Sequence, residues 1–252
     1  MMQNIKLTIE YDGTHFNGWQ VQGTGRRTVQ GQIEKALLAI FKKKIKLMGS
    51  GRTDSGVHAL AQVAHFRTET RMTPHQILKA LNANLPDDIS IRDVQRVGPK
   101  FHAQYSAERK TYRYTILNRQ GRCAIQRNFC YHFSQTLNLR AMRQAAKVLV
   151  GRKDFRAFMA TNPDLKRRDD DKNTVRTVYT LEIRKKGDFI TINIEANGFL
   201  YKMVRNIVGT LLKVGTGKLP PGSLSKILGA KDRNLAGVTA PAKGLCLLKV
   251  EY

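Results

Sequence analysis

Acidic residues are scarce in this 252-residue chain: 19 Asp and Glu stand against 44 Lys and Arg, a formal charge of +25 at pH 7. So large an imbalance repels itself and calls for a polyanionic partner. The chain also lacks any run of about 18 apolar residues, and no long basic amphipathic helix stands out, which argues against membrane attachment. The opening MMQNIKLTIEYDG meets a charged or polar residue after every one or two apolar positions. That is too interrupted for a signal-peptide core, so the expected location is the cytoplasm. Cysteines number only three, Cys123, Cys130 and Cys246, without a two-residue spacing. The odd count and the spacing argue against a disulfide framework and a zinc knuckle, and no metal ligand set is expected.

What is present alternates between strand and helix signals. Ile5 to Glu10 alternates apolar and polar residues before the turn pair Asp12 and Gly13, the pattern of an opening strand. Thr28 is placed to cap a helix carrying Val29, Ile33, Leu37, Ile40 and Phe41. Thr73 with Pro74 opens a second helix that Pro86 stops. Val57 to Phe66 and Ile89 to Val97 read as strands. The second half repeats these ingredients: a strand at Lys110 to Leu117, a helix around Leu139 to Leu149, a hairpin of Thr174 to Lys185 with Phe189 to Ala196, a helix at Tyr201 to Val214 and a strand at Leu245 to Tyr252. An α+β fold follows, with an N-terminal half at 1–105 and a C-terminal half at 106–252. The stretch NPDLKRRDDDKN at 162–173 sets blocks of opposite charge side by side and reads as a solvated insertion.

Three constellations carry chemistry. GSGRTDSGVHA at 49–59 joins two strands, so Arg52, Thr53 and Asp54 sit on a tight loop among Gly49, Gly51 and Gly56, where another backbone or a ligand can approach closely. It is not a phosphate-binding Walker loop, since the GxxxxGK[ST] spacing is absent. In GFLYKMVRNIVGTLL at 198–212, helical spacing puts Arg205 beside a largely apolar face, where a guanidinium either reaches solvent along its aliphatic stem or takes a carboxylate partner from elsewhere in the fold. Asp54 is the expected acid. In ERKTYRYTI at 108–116, Tyr112 and Tyr114 share a strand face while Arg109, Lys110 and Arg113 flank them. Aromatic surface interleaved with positive charge suits unpaired or flipped bases, at about 1–3 kcal/mol per stacked base, and the same pattern equally fits a pair of tyrosines covering sheet core.

GRTDSGVHA resembles the signature of the tRNA pseudouridine synthase A family, with Asp54 at the position of its nucleophilic aspartate. IEYDG with FNGWQ, NTVRT at 173–177, FLYKMVRNIVG and the closing GLCLLKVEY follow in that family's order and extend the resemblance over most of the chain. Ser55 stands where alanine is commoner in the family, and the charged insertion at 164–172 is atypical. The resemblance implies isomerisation of uridine to pseudouridine in the tRNA anticodon stem-loop, at positions 38, 39 and/or 40, without cofactor or metal. It implies Asp54 as nucleophile, Arg205 as its charge partner, Tyr112 stacking on the flipped uracil and Arg52 steering the vacated stem, with Thr53, His58 and Lys202 among the RNA contacts. It further implies two ferredoxin-like, RRM-like halves in one continuous, mostly antiparallel sheet with helices on one face, and a homodimer with basic clefts. The competing reading is a non-catalytic basic RNA-binding protein of tandem RRM-like units. The KGFGFVxF-like strand motif of such units is missing, and that reading requires neither Asp54 nor Arg205. A phosphate-processing enzyme lacks the paired carboxylates or His needed to hold its metal.

Overall fold

A computed structural model of the chain describes residues 2–23, 25–161 and 173–252. Apart from Asn173, the charged stretch 162–173 lies outside the described residues. In chain order the elements are β1 (Met2–Tyr11), α1 (Val29–Phe41), β2 (Met48–Gly49), β3 (His58–Glu69), α2 (Pro74–Asn84), β4 (Ile89–Val97), β5 (Arg109–Leu117), β6 (Tyr131–His132) and α3 (Leu139–Ala146). There follow β7 (Gly151–Asp154), β8 (Val175–Lys186), β9 (Phe189–Ala196), α4 (Met203–Gly215), α5 (Ser223–Ala230) and β10 (Leu245–Glu251). The fold is α+β and its strand pairing mostly antiparallel. The chain divides into two compact units, Met1–Glu108 with Cys246–Tyr252, and Arg109–Leu245. Residues 246–252, read with the C-terminal half in the sequence, fall in the first unit because β10 runs parallel to β3, with Cys246 opposite His58 and Leu247 opposite Ala59.

In the first unit β1 lies between β3 and β4, antiparallel to both, and β2 pairs with β3. Ile5, Leu7, Ile9 and Tyr11 alternate onto one buried face, as the period of a strand requires. On β4 the buried positions are Ile89, Ile91 and Val94, and the step of three follows from a register shift opposite Thr8 and Ile9. Thr28 accepts the Gly31 N–H to start α1, and Lys42 ends it in the left-handed region. Thr73 and Gln76 form a reciprocal capping box around Pro74 at the start of α2. Buried Ile33 and Leu37 of α1 and Ile77 and Leu81 of α2 complete this core.

In the second unit β9 lies between β5 and β8, β7 pairs with β8, and β6 runs parallel to the end of β5. Tyr112, Tyr114 and Ile116 stand directly opposite Ile194, Ile192 and Ile190. These cross-strand pairs, with Met142 of α3, Ile207, Val208 and Leu211 of α4 and Leu224 and Ile227 of α5, are buried. Two helices differ from the sequence pattern. The helix expected at Tyr201 begins at Met203, because Lys202 takes a left-handed conformation at φ 57°. The eight-residue α5 was not expected at all, since its apolar positions are too few to set a period.

Candidate active site

The loop carrying Asp54 is shaped by its neighbours' backbone. Asp54 accepts the Val57 N–H across a turn whose third residue, Gly56, has φ +77°, the left-handed position of a type II turn. The segment 11–19 wraps this turn: the Trp19 N–H donates to the Thr53 carbonyl (3.1 Å) and the Gly56 N–H to the Phe16 carbonyl (3.3 Å). The approach is so close that a Cβ on Gly13 would stand 2.0 Å from the Val57 carbonyl oxygen. On the other side Ser50 Oγ donates to Gln62 Oε1 (2.6 Å), and Gln62 Nε2 to the Gly51 carbonyl (2.9 Å).

Side chains around Asp54 reinforce this cage. Thr53, 6 % exposed, hydrogen-bonds the buried Tyr11 hydroxyl at 2.8 Å. Burial pushes that phenol well above the usual tyrosine range, so it stays protonated. Ser55 Oγ donates to the Phe16 carbonyl (3.1 Å), a bond the commoner alanine cannot make. His58 is 4 % exposed, and its Nδ1 accepts the Gly13 N–H (3.0 Å) while lying 3.1 Å from Asp12 Oδ1. Burial pushes the Asp12 carboxyl up, but the side-chain and backbone donors of Thr14 outweigh it and hold the group below its ordinary value. His58, expected as an RNA contact, is thus a ring that anchors the base of the loop. Asp54 itself is half-buried and Arg52 is exposed.

In the second unit Arg205, half-buried on α4, donates from Nε to the Ala240 carbonyl (2.7 Å), and the Ala240 N–H returns a bond to the Arg205 carbonyl (3.1 Å). The segment 237–240 passes so near the helix that a Cβ on Gly209 would lie 1.7 Å from the Val238 oxygen. Asn206 locks the next turn, donating to the Phe158 carbonyl and accepting from Thr239 Oγ1 and Arg233. Tyr112, 9 % exposed, meets the Phe199 ring edge-on at 5.1 Å. Its neighbour Tyr114 is fully buried, with its hydroxyl donating to the Pro241 carbonyl (2.8 Å), so the two tyrosines of the strand are not equivalent. Burial, with Arg176 nearby, pulls the Lys110 ammonium down to about 8. Lys202 extends over the Tyr201 ring at 4.9 Å.

The sequence reading therefore has Arg52, Thr53, Asp54 and His58 grouped in the first unit, and Tyr112, Lys202 and Arg205 in the second. It missed Tyr11, Phe199 and Ala240, which hold Thr53, Tyr112 and Arg205. Tyr11 and Phe199 lie inside the quoted segments IEYDG and FLYKMVR, but a contact between distant segments leaves no local period to read. Among the described residues no group of three or more His, Cys, Asp or Glu is placed to hold a metal ion, and no helix is long and apolar enough to cross a membrane.

The family model described as tRNA pseudouridine synthase matches residues 7–106 and 145–252. The chain belongs to this family. Curated relatives agree: it is 47 % identical to the tRNA pseudouridine synthase A of Thermoanaerobacter sp. (strain X514), over all of both chains. It is 48 % identical to that of Geobacillus sp. (strain WCH70), over all of this chain and 99 % of the relative. With tRNA pseudouridine synthase A 2 of Clostridium perfringens (strain 13 / Type A) the identity is 45 %, over all of both chains. The match to this pseudouridine synthase family covers both the segment with the Asp54 loop and the segment with α4. It leaves out 107–144, which holds Tyr112 and the whole loop between β5 and β6.

Proposed function

We propose that this pseudouridine synthase isomerises uridine in the anticodon stem-loop of tRNA, at position 38, 39 or 40 or at several of them. The observation that carries the reading is the Asp54 loop: an acid held on a turn whose described bonds engage the loop backbone, Thr53 and Ser55, in a chain of +25 net charge. A carboxylate kept ionised by an arginine is a competent covalent nucleophile at neutral pH. In this reading Asp54 is that nucleophile and Arg205 its charge partner. The N1–C1′ bond breaks, uracil turns, a C5–C1′ bond forms, and the C5 proton leaves while N1 gains one. Product and substrate have the same composition, so neither a redox partner nor a group donor is needed. A stacked uracil hides C5, so the nucleotide must be flipped out, with Tyr112 beneath the base and Arg52 reaching into the stem. The same reading has a homodimer working in the cytoplasm, and light scattering should return twice the mass of the chain.

The test is release of label from C5 of uridine in an anticodon stem-loop, followed by mapping of pseudouridine in the product. Release with modification confined to 38–40 supports the reading. Tight binding without release would instead favour a non-catalytic RNA-binding module, and modification elsewhere would remove the assigned positions.

A further inference from the structure

The loop between β5 and β6 carries a feature that the reaction above does not use. Arg122, Cys123, Arg127, Cys130, His132 and Lys243 line a cavity of about 420 Å³ within the second unit. Pockets that take small ligands span about 300–1,000 Å³. Arg122, Arg127 and Lys243 bring three cations to this cavity, and among the described residues no acid lines it. The bonds that build the loop do not neutralise them. Arg127 donates to the Ala124 carbonyl (2.9 Å), and Arg119 to the Gly121 and Arg122 carbonyls and to Asp188. His132 Nε2 meets the Arg119 carbonyl at 2.8 Å, which requires the proton on Nε2 and leaves Nδ1 as the other ring nitrogen. Three like charges around one cavity repel each other, and an anion between them converts that repulsion into attraction.

Lys243 ties the cavity to α4. It follows Ala240 and Pro241, whose carbonyls accept Arg205 Nε and the Tyr114 hydroxyl. His132 pairs with Leu117, five residues along β5 from Tyr112, a span of about 16 Å at ~3.3 Å per residue. A ligand in the cavity is therefore several nucleotides away from a base stacked on Tyr112. We propose that this cavity is a phosphodiester subsite for the tRNA backbone, gripped by Arg122, Arg127 and Lys243. The proposal rests on the reading above only in taking tRNA as the polyanion.

Cys123, half-exposed in the cavity wall, is a built-in reporter beside the buried Cys130. In the wild-type protein, saturating tRNA should slow iodoacetamide alkylation of Cys123 at least about fivefold by peptide mapping. Free inorganic phosphate at millimolar concentration should protect it far less, because one small anion releases few counterions. In the triple variant Arg122→Gln/Arg127→Gln/Lys243→Gln, the log–log salt slope of tRNA binding should flatten by about 2–3 units, with KM raised and kcat unchanged. The variant Arg122→Lys/Arg127→Lys, which keeps the charge, should retain the wild-type slope, separating lost phosphate contacts from a misfolded loop. The proposal is overturned if tRNA at saturation leaves Cys123 alkylation unchanged, if the slope is unaltered in the Gln variant, or if phosphate alone protects. A wild type that protects Cys123 with tRNA yet releases no C5 label would remove the enzymatic reading and leave the subsite standing.

Discussion

The Asp54 loop and the Arg205 helix are held in opposite ways. In the loop the contacts run through backbone, with Gly13 and Gly18 admitting a carbonyl where any Cβ would collide: 2.0 Å from the Val57 oxygen and 2.6 Å from the Thr53 oxygen. In the helix the side chain proposed as charge partner is itself structural, since Arg205 Nε holds the Ala240 carbonyl and Asn206 binds Phe158, Thr239 and Arg233. A loop whose form is set by its neighbours can lose its acid and keep its shape. A helix whose cation is also a strut cannot lose it cleanly.

The largest expected effect tests the first half of that contrast. Asp54→Asn keeps size and turn-forming capacity but cannot act as a carboxylate, so turnover in the C5 release assay should fall at least about a thousandfold. Melting temperature should stay within about 1 °C and tRNA affinity should hold, because the loop's backbone bonds, including the one the Asp54 carbonyl accepts, survive the change and Asn suits a turn as Asp does. A large fall in stability would mean that the acid is part of the cage. Arg205→Met tests the other half. Turnover should drop by about a hundredfold or more, and the Ala240 carbonyl, stripped of its donor, should cost a further ~1–3 kcal/mol. Near-normal activity would remove Arg205 from the chemistry, and unchanged stability would remove its role as a strut.

The cage should be as sensitive at its glycines as it is tolerant at its acid. Gly13→Ala places a methyl group 2.0 Å from backbone that cannot move alone, and overpacking of this kind costs about 3 kcal/mol. For a chain of this size that lowers the melting temperature by about 6–12 °C in a calorimetric scan. A shift under about 2 °C would show that segment 11–19 does not clamp the loop.

Much of this was legible beforehand, and the limit was physical rather than accidental. Helices α1 and α2 announced themselves through Thr28 and Thr73, because a cap is a local bond between residues three apart. The opening strand and the hairpin of β8 and β9 showed in alternation. The Asp54 turn was readable because GRTDSG combines an acid, a base and glycines at one turn. What could not be read was long-range: that Tyr114 bonds Pro241 across 127 positions while Tyr112 packs on Phe199, or that β10 returns to β3. The burial of His58 was out of reach for the same reason, as its ring meets Gly13, 45 residues away.

The units should also differ in their response to acid. On β3, burial, with His102 and Arg67 nearby, pushes the His65 imidazole down from 6.5 to about 4, and its Nδ1 accepts the Ala103 N–H. The neutral ring is thus favoured in the folded state. Its contribution is complete above pH 6.5 and is lost as pH falls from 6.5 to about 4, where the unfolded chain takes up a proton that the folded chain refuses. The loss should reach about 3 kcal/mol in the first unit. In the second unit Asp154 is also shifted downward, but from 3.8: burial raises it, while Thr174 and Lys231 outweigh that and hold it lower. Its stabilisation is present above 3.8 and fails only below that value. Amide protection factors, which divide out the intrinsic exchange rate at each pH, should therefore fall on β3 between pH 6.5 and 4 while those on β9 stay level, and His65→Asn should flatten the β3 profile. Equal acid sensitivity of both strands would sink the contrast.

The smallest effect concerns the one position in the signature where this chain departs from the commoner residue. Ser55 Oγ donates to the Phe16 carbonyl at 3.1 Å, adding one side-chain bond to a loop otherwise held by backbone and by Thr53. Ser55 is exposed, and the Phe16 carbonyl keeps its bond from the Gly56 N–H when the hydroxyl is removed. The net worth of such a bond lies at the low end of ~0.5–1.5 kcal/mol. Ser55→Ala should then lower the melting temperature by about 1–3 °C and leave turnover within about twofold of wild type. The backbone bonds at Thr53 and Gly56 survive the change, so the position of Asp54 should too. A tenfold loss of kcat with stability intact would mean that the hydroxyl aligns the acid, and that the cage is less self-sufficient than its glycines suggest.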